Sequence, residues 1–171
     1  MKLTALLLSL ATLAAAAPAQ ADNATLPGWQ TRRLYLEQQD EARYRVCDVQ
    51  RADNPATRTL DFTPAGRRCL IDALGQAASV QGTLVLLRNA SATLRKTPDD
   101  AALRQAALGA VVRARVQLAA DLPQLRERFK DEAAALDQAE FSIHLPQLHY
   151  DQQQWRLQAY HAAMGLRPGQ D

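Results

Sequence analysis

Three histidines, two cysteines, seventeen arginines and the three serines beyond residue 21 are the residues of this 171-residue chain whose types invite chemistry. His144, His149 and His161 sit together late in the sequence, and imidazole is a common metal ligand. Their spacing does not converge. His149 and His161 are twelve residues apart, which is about 120° around an α-helix, and His144 precedes Pro146. None forms the i,i+4 pair that would put two rings on one face, and no metal is expected. A haem site fares no better, because there is no Cys-x-x-Cys-His, and His161 and Met164 lie one turn apart on the same helix. Axial ligands come from opposite sides of the ring, so no cofactor is expected either.

Nucleophilic catalysis needs a hydroxyl or thiol beside a base that a third group orients. Ser79, Ser91 and Ser142 lie on no glycine-flanked elbow, and Ser79 and Ser91 read as fillers inside a long helix. The acid pairs Asp99-Asp100 and Asp131-Glu132 fall in first-turn positions, where carboxylates complement the helix dipole. No catalytic residue is assigned.

The arginines admit one sharper reading beside plain compositional bias. Guanidinium groups grip carboxylates and phosphates through two parallel hydrogen bonds, and some helical proteins surround a dianionic ligand with them. A helical hairpin folded about residue 97 would bring Gly82 level with Arg113, and Arg88 near Ala107. Arg88 and Arg113 are the candidate anion pocket. Near the C-terminus Tyr150, Trp155, Leu157, Tyr160 and Met164 supply large side chains on two adjoining flanks of a helix, separated by Gln152, Gln153 and Gln154. Tyr150, Trp155, Tyr160 and Met164 form the candidate interface, because aromatic and Met side chains are favoured in interface cores. Docking of a terminal helix on its own bundle is the alternative use of the same residues.

These side chains must be positioned by helices, since Ala, Leu, Gln and Arg dominate and glycine is scarce. The chain opens with Lys2, an apolar run Leu3–Ala17, Pro18 and the small-x-small end Ala19-Gln20-Ala21. This is the layout of a secretory signal peptide over residues 1–21, cleaved before Asp22. Residues 22–171 are expected to form a single all-helical domain. Losing Lys2 leaves cations and anions almost equal, so no basic face points to nucleic acid. No later stretch is apolar for the ~20 residues that span a bilayer. An oxidising compartment favours pairing of the only two cysteines, Cys47 and Cys69, in a disulfide. Each falls about 7–9 Å from the loop that joins two successive helices, so an antiparallel pair would bring them level.

Hydrophobic periodicity divides the chain into five helices. The first runs from about Gly28 to Ala52, has sparse apolar positions, and is expected at the periphery. The second, Pro64 to Lys96, has the strongest pattern, with Leu70, Ala73, Ala77, Val80, Leu84, Leu87, Ser91 and Leu94 in steps of three and four. Thr63 and Pro64 mark its start, while Gly75 and Gly82 offer a bend or a close approach. Thr97 is expected to cap the third helix, Pro98 to Asp121, where Val112 and Val116 add a second apolar flank. Pro123 to Glu140 gives the fourth. Pro146 opens the fifth, which ends at Gly165. The expected fold is an all-α antiparallel bundle of about five helices pinned by Cys47–Cys69.

The functional expectation follows from these features together. A periplasmic or secreted, non-catalytic helical protein would act by binding another exported protein, as an inhibitor, immunity-type protein, adaptor or chaperone. An Arg-lined enzyme or binder of a small dianion is the second expectation.

Overall fold

The computed structural model describes residues 25–165; the leader assigned to residues 1–21 lies outside them. Five helices and one hairpin follow in order: α1 (Thr25–Asp48), β1 (Arg51–Asn54), β2 (Thr59–Phe62), α2 (Pro64–Gln76), α3 (Val80–Leu94), α4 (Ala101–Asp121) and α5 (Phe129–Ala163). The fold is a mostly helical bundle, and a disulfide joins Cys47 to Cys69 across 22 residues of chain. Cys47 meets Cys69 while Asp40 meets Ala78, so α1 and α2 run antiparallel. Gln81 reaches Glu132 and Ser91 reaches Ser142, so α3 and α5 run in the same direction.

The first helix stops at Asp48 rather than Ala52, and the chain turns into a hairpin that periodicity missed. Arg51 pairs with Phe62 and Asn54 with Thr59 in the antiparallel ladder. The turn is made locally, because the Asn54 side chain accepts the Ala56 N–H at 3.0 Å and Arg58 takes the left-handed conformation at φ 52°. The Arg51 guanidinium stacks 4.2 Å from the Phe62 ring centroid, fixing the hairpin's base. The sequence Arg-Ala-Asp-Asn carries no strand signature, which is why the element was not anticipated.

The expected long second helix is two helices. Thr63 caps α2 by accepting the Gly66 N–H at 3.1 Å, with Pro64 in the first turn as its type requires. The helix then breaks over residues 77–79, where the buried carboxylate of Asp40 takes the freed donors. Its Oδ2 accepts the Ser79 N–H at 2.8 Å and the Ser79 hydroxyl at 2.7 Å, and the Ala78 N–H lies 3.1 Å away. Ser79 in turn accepts the Gly82 N–H at 3.0 Å and so caps α3. Gly82 serves the close approach expected of it: a Cβ there would fall 2.3 Å from the Asp40 Cβ. Ser79 is therefore a cap and not a filler.

Asp100, not Thr97, caps α4, accepting the Leu103 N–H at 3.0 Å. The Thr97 hydroxyl instead donates to the Thr93 carbonyl. Val112 and Val116, expected to be buried on a second flank, are exposed.

The fourth and fifth helices are one. A continuous α5 starts at Phe129 and passes through Pro146. Proline lacks the N–H that would bond the carbonyl four residues back, that of Ser142. Here the Ser91 hydroxyl donates to that carbonyl at 3.3 Å, so the orphaned acceptor is satisfied from the neighbouring helix. This is the second serine whose reading changes from filler to partner. The helix ends as its sequence requires, with Gly165 at φ 65° just beyond it.

The core draws on every helix, with Cys47, Leu70, Leu74, Leu86, Leu87, Leu94, Leu103, Val111, Leu118, Leu136 and Ile143 buried in one cluster. Each such leucine contributes roughly 1.5–3 kcal/mol by leaving water. At the lower end Arg33 of α1 bonds Glu132 of α5, and Gln81 of α3 bonds the same carboxylate oxygen at 2.8 Å.

Candidate helical interface

The feature that departs most from a packed bundle is the second half of α5. Leu136, Ile143, Tyr150, Leu157 and Met164 recur every seven residues and so share one face, drifting by only ~20° per step. Leu136 and Ile143 are fully buried, at 0% exposure. Tyr150, Leu157 and Met164 on the same row are 38%, 49% and 60% exposed. The row that builds the core thus runs out into solvent.

Helix α3 explains where the change occurs. Ser91 stands beside Ser142, and α3 ends three residues later at Leu94. The last buried residue of α5 is Pro146, and from Gln147 to Ala163 none is buried. That overhang of seventeen residues is about 26 Å long at 1.5 Å per residue.

A second apolar row, Phe141, Leu148 and Trp155, also repeats every seven residues and is exposed throughout. Nine residues separate Phe141 from Tyr150, Leu148 from Leu157 and Trp155 from Met164. Nine residues are two and a half turns, so the two rows lie on opposite sides rather than on adjoining flanks. Tyr150, Trp155, Tyr160 and Met164 are therefore brought onto one projecting helix, with Trp155 facing away from the other three. Leu148 and Phe141 join them, and sequence reasoning missed both. The seven-residue steps could have found them.

Between the rows the overhang carries few charges. Asp151 accepts the Gln147 amide at 2.6 Å, one turn back. The Tyr160 and His161 rings lie 6.0 Å apart. His144 and His149 are exposed, and among the described residues no three His, Cys, Asp or Glu side chains cluster as metal ligands.

The two candidate anion-pocket arginines are not brought together. Arg113 donates to the Leu74 carbonyl at 2.7 Å, near the C-terminal end of α2, and lines a groove of about 480 Å³ between α1 and α4 with Arg32, Arg33 and Trp29. The gap at Gly82 that it was expected to face is filled by Asp40. Arg88 instead lines a groove of about 660 Å³ between α3 and α5, with Arg95 and Arg128.

Elsewhere the ionisable groups serve the fold. The Lys96 ammonium, followed by the Asn54 amide at 2.8 Å, holds the Asp61 carboxyl down at about 2 from an ordinary 3.8. Partial burial, and then the hydrogen bond to Asp48 at 3.0 Å, pushes the Tyr44 phenol up from its ordinary value. Arg115 of α4 holds Asp137 and Glu140 of α5, both at 2.6 Å. Among the described residues no helix is long and apolar enough to cross a membrane.

No protein-family model, curated protein or solved structure matches this chain.

Proposed function

We propose that this is an exported, non-catalytic helical protein that binds another exported protein through the overhanging half of α5. The observation that carries the reading is the heptad row from Leu136 to Met164, buried at its start and exposed at its end. A free helix of seventeen residues is marginal in water and gains most of its stability from packing one face. The Tyr, Trp and Met side chains of the two opposed rows are of types enriched in the cores of protein interfaces. The leader pattern and the Cys47–Cys69 disulfide support export.

Affinity capture from the exported fraction of the cells that make the protein tests this. The wild type is compared with a triple variant, Leu157→Ser, Tyr160→Ser and Met164→Ser. None of the three residues is buried, so the variant should melt with the wild type. The expected result is a protein retained by the wild type and lost by the variant. Retention of the same proteins by both would overturn the reading.

A further inference from the structure

The mixed groove between α3 and α5 is lined by the apolar Leu84, Val85 and Ala139, by the cations Arg88, Arg95 and Arg128, and by Asp131 and Glu132 at one end. Arg88 on α3 and Arg95 at its C-terminal cap stand seven residues apart, on one face and about 10 Å apart along the axis. Arg128 rises at the start of α5 beside Glu132, which Gln81 marks as one further seven-residue step down from Arg88. By helix rise the three arginines thus stand at successive backbone levels roughly 10 Å apart, a ladder along the groove. The Arg88 and Arg95 guanidiniums make no ion pair or hydrogen bond among the described residues, whereas that of Arg128 is 3.6 Å from Glu132.

We infer that this groove is a docking site for an acidic amphipathic helix of a protein partner. A helix laid along it would set apolar side chains on Leu84, Val85 and Ala139, and carboxylates placed every seven residues would repeat at the same ~10 Å as the arginines. Charge selects the occupant: the upper two rungs are cations with no carboxylate paired to them, beside the apolar Leu84, Val85 and Ala139. Only the lowest rung is shared, by Glu132 of the groove itself. The inference stands on a different face from the overhang and does not rest on that reading.

The test uses three synthetic peptides of about 18 residues, five helical turns, titrated by fluorescence anisotropy into the full-length protein. One is an amphipathic helix with Glu at seven-residue steps beside a Leu stripe. The second replaces those Glu by Gln, and the third keeps the composition of the first with the stripe scrambled. The first peptide is expected to bind at least about tenfold tighter than either control, with affinity falling as salt rises. Arg88→Gln with Arg95→Gln should remove that advantage; both side chains are exposed, so the fold should survive. The triple overhang variant should bind the peptide as the wild type does. Equal binding of the Gln peptide, equal binding of the scrambled peptide, or unchanged affinity in the double Arg variant would each overturn the inference. Tighter binding of heparin than of the amphipathic peptide would assign the ladder to a polyanion and overturn it too.

Discussion

Replacing Asp40 by Ala should be the most damaging single change to this fold outside the apolar core. The side chain is 1% exposed and accepts the Ser79 N–H, the Ser79 hydroxyl and the Ala78 N–H, while Arg43 donates to its other oxygen at 2.8 Å. Alanine removes every acceptor at once. Two backbone donors at the start of α3 lose their partner, at about 1–3 kcal/mol each, and Arg43 loses its counterion. The Ser79 hydroxyl also loses the partner that orients it to cap Gly82. A loss of about 3–5 kcal/mol results, a large part of the roughly 5–15 kcal/mol that holds a domain together. With a urea dependence of about 2 kcal/mol per molar, the unfolding midpoint followed by circular dichroism should fall by about 2 M. Asp40→Asn keeps one acceptor oxygen but turns an amide donor toward other donors, so it should fall between Ala and wild type. Hydrogen exchange at the Ala78 and Ser79 amides should accelerate more than at α4. A midpoint for Asp40→Ala within about 0.3 M of wild type would refute the account of the α2–α3 junction.

Reducing the disulfide, or replacing Cys47 and Cys69 by Ser, opens a loop of 22 residues and should cost about 3 kcal/mol, read as a lower urea midpoint. An unchanged midpoint would contradict that role. Ser91→Ala strips the Ser142 carbonyl of the donor that replaces the missing Pro146 N–H, and should destabilise by about 1–2 kcal/mol. Restoring the backbone donor with Pro146→Ala should make Ser91→Ala nearly harmless; full additivity of the two changes would sink the argument. Asp61 has a folded pKa of about 2 against an ordinary 3.8. Its contribution is therefore complete above about pH 4 and lost as pH falls from there toward 2. Carboxyl titration by nuclear magnetic resonance should show this, and Lys96→Met should move Asp61 back toward its ordinary value. Titration of the wild-type group near pH 4 would contradict the pairing.

Local signals in the sequence carried much of the fold. The Thr63–Pro64 start, the end of α4 at Asp121, the Gly165 stop and the cysteine pairing are all set within a few residues or by a simple count. Misreadings arose where a distant residue overrode the local pattern. Gly75 offers a bend, but the carboxylate that stabilises the break at residues 77–79 sits 38 residues before Ala78, in α1. Pro146 looks like a helix start until Ser91, on another helix, supplies the donor that proline lacks. The hairpin rests on an Asx turn and a guanidinium stacked on Phe62, neither of which periodicity senses. Of the candidate site, the aromatic and Met residues were legible by type. Their two opposed rows became visible once α5 was one helix, since dividing it at Pro146 hides the steps from Leu136 to Tyr150 and from Phe141 to Leu148. Arg88 and Arg113 were placed by the register of a hairpin folded about residue 97, which sets levels along two helices but not the face each side chain takes; the two line separate grooves.

In the proposed function a partner docks on the exposed half of α5. Hydrogen exchange measured by mass spectrometry on the protein, alone and bound to the protein it captures, tests this most directly. Amides of residues 147–163, which no neighbouring helix covers, should exchange fast in the free protein and slow by at least about tenfold in the complex. Protection confined to other surfaces, with residues 147–163 exchanging equally fast in both states, would contradict the account.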